Sequence, residues 1–486
     1  MIKNYKLKNK GSFLLQAFIF GTISIIMIGA LISWASVNIK ASRLASQREQ
    51  ALQIAEAGID YYRWHLAHAP EDYTNGTGLP GPYIREFFDK NGTRIGQYEL
   101  EITPPAEGFT NVVIKSTGRL DLDPTIYRSI QVEMAIPSLA KYAVVANDYM
   151  RFGEGTEVYG QIHSNGGIRF DGVAYNLVTS SRETADDPDH TGGVEFAVHT
   201  HVNPPPGTGI NSFFRSSEAP PNSVPNRPDV FVAGRVFPVP AVDFVGLTTD
   251  LSQMKSSAQS NGRYIPSSGS LGYRIVLKTN DTFDLYRVTR LESVSGSCTS
   301  SQDDWGVWSI RSNGQTFVAN YSFPANGIIF VEDDVWVDGQ IQTARLTIAA
   351  GRFPDSVNNR PAIIINNDLL YTYYDGQDVM SLIAQGNINV GLRSENDLRI
   401  DAALVSQNGR VGRHYYGSAC STGYVRNSII LFGMIASNQR YGFAYTDGTG
   451  YDIREIIYDA NLLYGPPPSF PMTSDQYEIL SWEEIY

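Results

Sequence analysis

Charge is missing over one long stretch: from Ser12 to Val37 there is no Asp, Glu, Lys, Arg or His, which excludes a solvated surface segment there. Cysteine is nearly absent as well. Cys298 and Cys420 are the only two in 486 residues, so no disulfide framework defines the fold. One bridge between them, or two inert thiols, are the open alternatives. Charged residues make up 18% of the chain and the net charge is −12, a balance that argues against nucleic acid or an anionic lipid surface as partner. No GxSxG elbow, Walker loop, HExxH or CxxC pair occurs, which removes the commonest signatures of nucleophilic, nucleotide-dependent and zinc-dependent catalysis. Proline does not occur before Pro70, so nothing interrupts a helix over that length.

The uncharged run is the most informative segment present. At ~1.5 Å per residue it forms a helix of roughly 39 Å, enough to cross a ~30 Å hydrocarbon core with some tilt. A secretory signal has an apolar region of only about 7–15 residues, so this run reads as an anchor. Lys3, Lys6, Lys8 and Lys10 precede it without any acid, which puts the N-terminus in the cytoplasm and the bulk of the chain in the periplasm or outside the cell. The expectation is a single-pass cytoplasmic (inner) membrane protein.

The junction Lys8-Asn9-Lys10-Gly11-Ser12-Phe13-Leu14-Leu15-Gln16 resembles a type IV prepilin: a basic leader, a Gly, then an apolar helix with a polar residue five positions in. The resemblance implies cleavage between Gly11 and Ser12 by a prepilin peptidase. It also implies other pilin-like subunits as partners through the helix, and an inner-membrane assembly platform. Gln16 stands where the family usually has Glu, and it offers only neutral hydrogen bonds to a neighbour's terminal amine. The stretch from Gln47-Arg48 to Ala57-Gly58, with Ser116-Thr117-Gly118, looks like the PilX-like branch of minor pilins and pilus-assembly proteins. The resemblance covers about residues 8–138. A plain single-pass anchor, in which Gly11 has no special role, is the alternative.

Residues 1–11 are thus a leader, 12–37 a transmembrane helix and 38–70 its extracytoplasmic continuation. Ala41, Ala45, Leu52, Ala55, Ile59, Tyr62 and Leu66 form an apolar stripe at helical spacing, expected to pack on the protein's own sheet or along a filament. Over 71–138, Tyr98 to Ile102, Val112 to Gly118 and Ile130 to Ile136 alternate or run apolar as strands of a small antiparallel sheet. Past Pro137 a turn-strand phrase recurs: Asn147 to Gly153, Asn165 to Gly172, Asp333 to Gly339, Asn367 to Tyr371 and Gly386 to Gly391. Spacings of roughly 18–20 residues or twice that suit coils of a parallel β-solenoid over 139–178 and 326–440. An irregular antiparallel sandwich is the runner-up. Residues 179–325 read as a loop-rich α+β insertion, with a helix over Val242 to Ser260 and a hairpin from Tyr273 to Tyr286 turned at Asn280-Asp281. Residues 441–486 read as a C-terminal cap, with Tyr477 and Trp482 covering a coil end. The fold class is mainly β: a long N-terminal transmembrane α-helix, a pilin-like α+β region, and a parallel β-solenoid containing a large α+β insertion.

Catalytic constellations are not evident, and the chain is expected not to be an enzyme or to need a cofactor. Asp333, Asp334, Asp338, Asp397 and Asp401, with Arg399, are the carboxylates and base that an exported polysaccharide-cleaving solenoid would use; beside Gly and Asn they suit solvated corners better. Asp186-Asp187-Pro188-Asp189-His190 and His199-Thr200-His201 read as a mobile polar loop with no metal. If a metal were held, His190, His199 and His201 are the candidate ligands, since imidazole suits zinc or copper. Calcium at Glu332-Asp333-Asp334 is a similar minor alternative. The function expected is a non-enzymatic structural subunit of a type IV pilus or pseudopilus-like assembly, a minor or tip component. The alternative is an anchored surface β-solenoid that binds or processes polysaccharide.

Overall fold

The structure, a computed structural model, describes residues 11–106, 108–244, 246–473 and 476–485. The leader lysines fall outside the described residues. The chain divides into two compact units. One comprises Met1–Pro105, Asn111–Ala135 and Gln476–Tyr486; the other comprises Ala106–Thr110 and Ile136–Asp475.

The first unit is built on helix α1, Gly11–His68, 58 residues without a break. Pro70 enforces its end. From Phe13 to Gln50 almost every side chain is exposed, and this part is long and apolar enough to cross a membrane. Burial begins only at Ala51. Ile54, Ala55, Ile59, Tyr62 and Leu66 then lie at or near zero exposure. The stripe therefore splits by height: Ala41 and Ala45 are exposed, while its lower half packs on the unit's own sheet. That sheet is antiparallel, with strands β1 (Tyr83–Phe88), β2 (Arg94–Thr103), β3 (Asn111–Leu120) and β4 (Tyr127–Ala135) in order, then Glu478–Ile485 against β4. Leu100, Ile114, Val132 and Met134 face the helix. The chain's last strand is thus a sheet edge here, not a coil cap. Trp482 pairs with Val132, and the Tyr477 hydroxyl donates to Pro70 O at 2.9 Å. The physical reason is that Glu478–Ile485 completes the backbone pairing of β4, whose hydrogen-bonding groups would otherwise be open.

The second unit is a wound, largely parallel β domain. One stack runs Arg263–Ile265, Ile328–Val331, Arg345–Ala350, Val379–Ala384, Asp397–Ser406, Val425–Ser437, Val144–Ala146, Ile162–Ser164, Val178–Ser180 and Arg235–Val236, each parallel to the next. Its inward register is an aliphatic ladder: Ile329, Ile348, Leu382, Leu404, Ile435, Val144, Ile162 and Val178. The opposite face carries Phe330, Ala349, Ile383, Val405, Ala436 and Val145. Helix α2, Gly246–Ser260, covers that face with Leu251, Met254 and Ala258. Burial on both faces explains why these strands read as continuous apolar runs.

This order corrects the expected insertion. Residues 179–325 are not wholly a separate module seated on the coil: Arg235–Val236, Arg263–Ile265, Gly272–Lys278, Thr282–Val288 and Gln315–Ser322 join its two ends, while Thr184–Asp186 and Val194–Phe196 pair apart from it. Val178–Ser180 and Arg235–Val236 extend one end. At the other, Gly272–Lys278 pairs parallel with Val335–Ile341, and Thr282–Val288 and Gln315–Ser322 finish it antiparallel. The boundary at 440 moves too: Gly450–Tyr458 is a coil strand between Val425–Ser437 and Thr156–Tyr159. Late residues thus pair with early ones, so that few strand edges stay unpaired inside the domain.

Asp459 follows that strand and caps a short 3-10 turn: its Oδ1 accepts from the Asn461 amide at 3.0 Å, and its Oδ2 has no hydrogen-bond partner among the described residues. Burial, with the Asp401 carboxylate adding to it, pushes the Asp459 carboxyl up to about 6. A native pKa above the unfolded value of ~3.9 means a contribution fully present below pH ~3.9 and lost as pH rises through about 6. Asp459→Asn keeps the cap acceptor and cannot ionise. Its stability relative to wild type should rise by about 2–3 kcal/mol between pH 4 and pH 8. Urea denaturation at both pH values measures this, and a difference that does not change with pH refutes it.

Candidate functional site

The coil corner near residue 190 gathers a cluster of titratable side chains away from solvent. The strands Met150–Phe152, Ile168–Phe170 and Val198–His199 form a three-stranded parallel sheet in which His199 stands opposite Arg169. Beside it, Thr184–Asp186 and Val194–Phe196 pair as an antiparallel ribbon whose connecting turn carries Asp187 and His190. The Asp189 amide donates to Asp187 Oδ1 at 2.9 Å and tightens that turn. The His201 amide donates to Asp171 Oδ1 at 2.9 Å and holds the segment after the strand.

Three imidazoles converge on two carboxylates. His190 Nε2 lies 3.1 Å from Glu195 Oε2 and 3.3 Å from Asp187 Oδ2. His201 Nε2 is 3.2 Å from Glu195 Oε1, and His199 Nε2 is 3.2 Å from Glu195 Oε2. Asp187, Glu195, His199 and His201 are all fully buried. Arg169, buried itself, donates from Nε to Asp171 Oδ2 at 2.7 Å and from Nη1 to Asp187 Oδ2 at 3.1 Å. Asp189, at the rim, takes Arg151 and Arg440 at 2.8 and 2.7 Å. Burial opposes ionisation of Asp187, but His199, the Asp189 amide and Arg169 outweigh it and hold the carboxyl well below its ordinary value. For Glu195, burial is likewise outweighed, by His201, His199 and the Arg215 amide. Both groups are therefore anions inside the fold.

The expected solvated loop is thus corrected: His190, His199 and His201 lie inside a folded corner and share one focus. Asp186 remains exposed and outside it. Glu195, Arg169 and Asp171 escaped the sequence reading. Glu195 sits in Val194-Glu195-Phe196, where an alternating charge reads as solvent-facing. Arg169 sits inside the repeated Ile168-Arg169-Phe170 phrase, which reads as coil repetition.

The other carboxylates do not assemble. Asp333 accepts from Arg352 at 2.6 Å and from Ser268, Asp338 accepts from Arg274 at 2.7 Å, Asp334 accepts from the Ala362 amide at 2.8 Å, and Asp401 meets Arg399 at 2.9 Å. Asp397 is exposed and accepts from Ser428. Asp333, Asp338 and Asp401 are buried, which corrects their expected place at solvated corners. The calcium alternative fails on direction, because Glu332 takes Lys255 and Tyr264 while Asp333 and Asp334 face different partners. Cys298 and Cys420 form a disulfide. Gln16 lies on the exposed part of α1, and Gly11 opens that helix.

No family model and no curated protein matches this chain. Among solved structures it is similar to the competence-associated pilin ComZ from Thermus thermophilus, at 13% identity. The likeness covers 90% of this chain and 98% of that one, with a TM-score of 0.36. A likeness of that size decides nothing about function.

Proposed function

We propose that this chain is a non-enzymatic, membrane-anchored subunit of a type IV pilus or pseudopilus-like assembly, with the wound β domain as its head. The observation that supports this reading is the division of α1. Its lower half is buried against the unit's own sheet, while Phe13 to Gln50 is exposed and, through Val37, apolar. Such a surface needs lipid or other apolar helices around it. The basic leader ending in Gly11 adds the expectation of processing before Ser12. Gln16 removes the charge that would recruit each next subunit's amine, which favours a minor or tip position over repeated addition. Partners on this reading are pilin-like subunits, a prepilin peptidase and an assembly platform in the inner membrane.

Intact mass spectrometry of protein from its native membrane tests the reading. A mature chain beginning at Ser12 is expected, and Gly11→Leu should retain residues 1–11. Met1 intact in the wild type would sink the assignment and favour the anchored polysaccharide-binding alternative. Quantitative mass spectrometry of sheared fibres checks the copy number separately; a dominant subunit would end the tip assignment.

A further inference from the structure

We propose that Asp187, His190, Glu195 and His201, with His199 adjoining, bind one divalent transition-metal ion of the zinc type as a structural staple of the head. The four side chains each offer a donor atom, and these atoms all lie within 4.8 Å of one another. Donors sharing an ion at ~2.1 Å stand roughly 3.0–3.4 Å apart in octahedral or tetrahedral geometry. With Glu195 Oε2 and Asp187 Oδ2 as the carboxylate donors, His190 Nε2 to Glu195, His190 Nε2 to Asp187 and His201 Nε2 to Glu195 are 3.1, 3.3 and 3.3 Å and fall in that interval, while His201 Nε2 to Asp187, at 3.9 Å, lies outside it.

The ring orientations point the same way. His199 Nδ1 lies 2.8 Å from Phe196 O, and His201 Nδ1 lies 2.7 Å from Asn211 O. A carbonyl can only accept, so each Nδ1 carries a hydrogen, and Nε2 faces the cluster either as an N–H of the charged ring or as a lone pair free for a metal. Backbone carbonyls on the second nitrogen are how metal-bound imidazoles are commonly oriented. His199 Nε2 is buried, faces the carboxylates and has no hydrogen-bond partner among the described residues. A lone pair aimed at a carboxylate oxygen 3.2 Å away is repulsive unless a cation or a proton lies between them.

Imidazole and carboxylate without thiolate suit zinc and its neighbours better than copper(I) or calcium. Asp187, Glu195 and His201 are fully buried and His190 is half-buried, an enclosure that suits the closed, structural kind of site. Its ligands come from the ribbon turn, the ribbon's second strand and the segment after Val198–His199. An ion there would pin a loop-rich excursion to the coil.

The test uses full-length protein in detergent, stripped with EDTA and titrated with Zn²⁺ against a chromophoric chelator, and separately with Co²⁺. One equivalent of Zn²⁺ should bind, with a higher melting temperature, and Co²⁺ should give the intense visible bands of four- or five-coordination. His201→Ala and Glu195→Gln should each weaken binding about 100-fold or more. His68→Ala, at an exposed position on α1, should leave binding unchanged. The wild-type Co²⁺ spectrum stands even where a ligand variant does not fold. Folded wild type that binds substoichiometrically, or holds Co²⁺ only with its six-coordinate aqua spectrum, would overturn the proposal and leave imidazolium–carboxylate pairing as the account of the cluster. Neither outcome depends on the filament reading.

Discussion

Replacing Gly118 with valine should dismantle the packing of α1 on its sheet, at a cost of about 3 kcal/mol or more. A Cβ at residue 118 would stand 2.1 Å from Ala51 O and 2.5 Å from Ala55 N. Both atoms belong to the helix backbone, which cannot rotate away as a side chain can. Gly118 does not adopt a positive φ, so the effect is purely steric; elsewhere, a β-branched residue would favour a strand. Gly58 is the instructive comparison. Its added Cβ would meet Ser116 Oγ at 2.2 Å and Tyr98 Cδ2 at 3.0 Å, side-chain atoms that can give. Gly58→Ala should therefore cost clearly less than Gly118→Ala. Hydrogen exchange on β2, β3 and β4 measures both, with the second unit as internal reference. Equal protection in wild type and Gly118→Val would mean that the helix does not approach β3 this closely.

The second large effect concerns the Cys298–Cys420 bridge, which spans 122 residues of sequence. Closing a loop of that length removes unfolded-state freedom worth about 5 kcal/mol in the chain-entropy treatment, and measured gains are commonly smaller. A double Cys298→Ser, Cys420→Ser variant should thus lose about 3–5 kcal/mol of stability. The loss should show first in the segment between Val288 and Gln315, which contains no strand among the described residues. That segment is also held by side-chain and backbone hydrogen bonds, among them Trp305 Nε1 to Tyr415 O at 2.9 Å, the Tyr416 hydroxyl to Gly306 O at 2.6 Å, the Tyr415 amide to Gln302 Oε1 at 2.6 Å and the Leu392 amide to Val307 O at 2.9 Å. Around the sulfurs, Leu392 and Tyr416 form a small apolar cluster with Val294 and Trp305, so the hydroxyls of serine would be buried there without ready partners. Denaturant unfolding of oxidised wild type against the variant gives the magnitude, and limited proteolysis gives the place. Unchanged stability together with protease resistance across 289–314 would show that the surrounding contacts suffice alone.

Features legible in the sequence are those whose cause is local. The uncharged run before Asn38, the absence of proline before Pro70 and the helical stripe from Leu52 to Leu66 dictate a long helix, whatever surrounds it. Period-two alternation at Tyr98 to Ile102 and Ile130 to Ala135 places strands in the first unit. Asn280-Asp281 turns the hairpin between Gly272–Lys278 and Thr282–Val288. Asp281 takes the positive φ that such a turn requires. Clustering of His190, His199 and His201 near Asp187 is also visible in the chain itself, because those residues are close in sequence.

Tertiary structure decided everything that depends on a distant partner. Buried parallel strands lose the alternation that would reveal their faces, so nothing local shows that Ile435 stacks on Val144 or that the ends of the coil come from 179–325. The strand Glu478–Ile485 belongs to β4 because of an open edge more than 300 residues earlier. Burial of the histidine corner is of the same kind. Asp187 and His201 are polar residues of a loop-rich segment until Arg169, Asp171 and Glu195 enclose them. That enclosure turns solvated side chains into a convergent set of buried donors, because charges withdrawn from water must find one another.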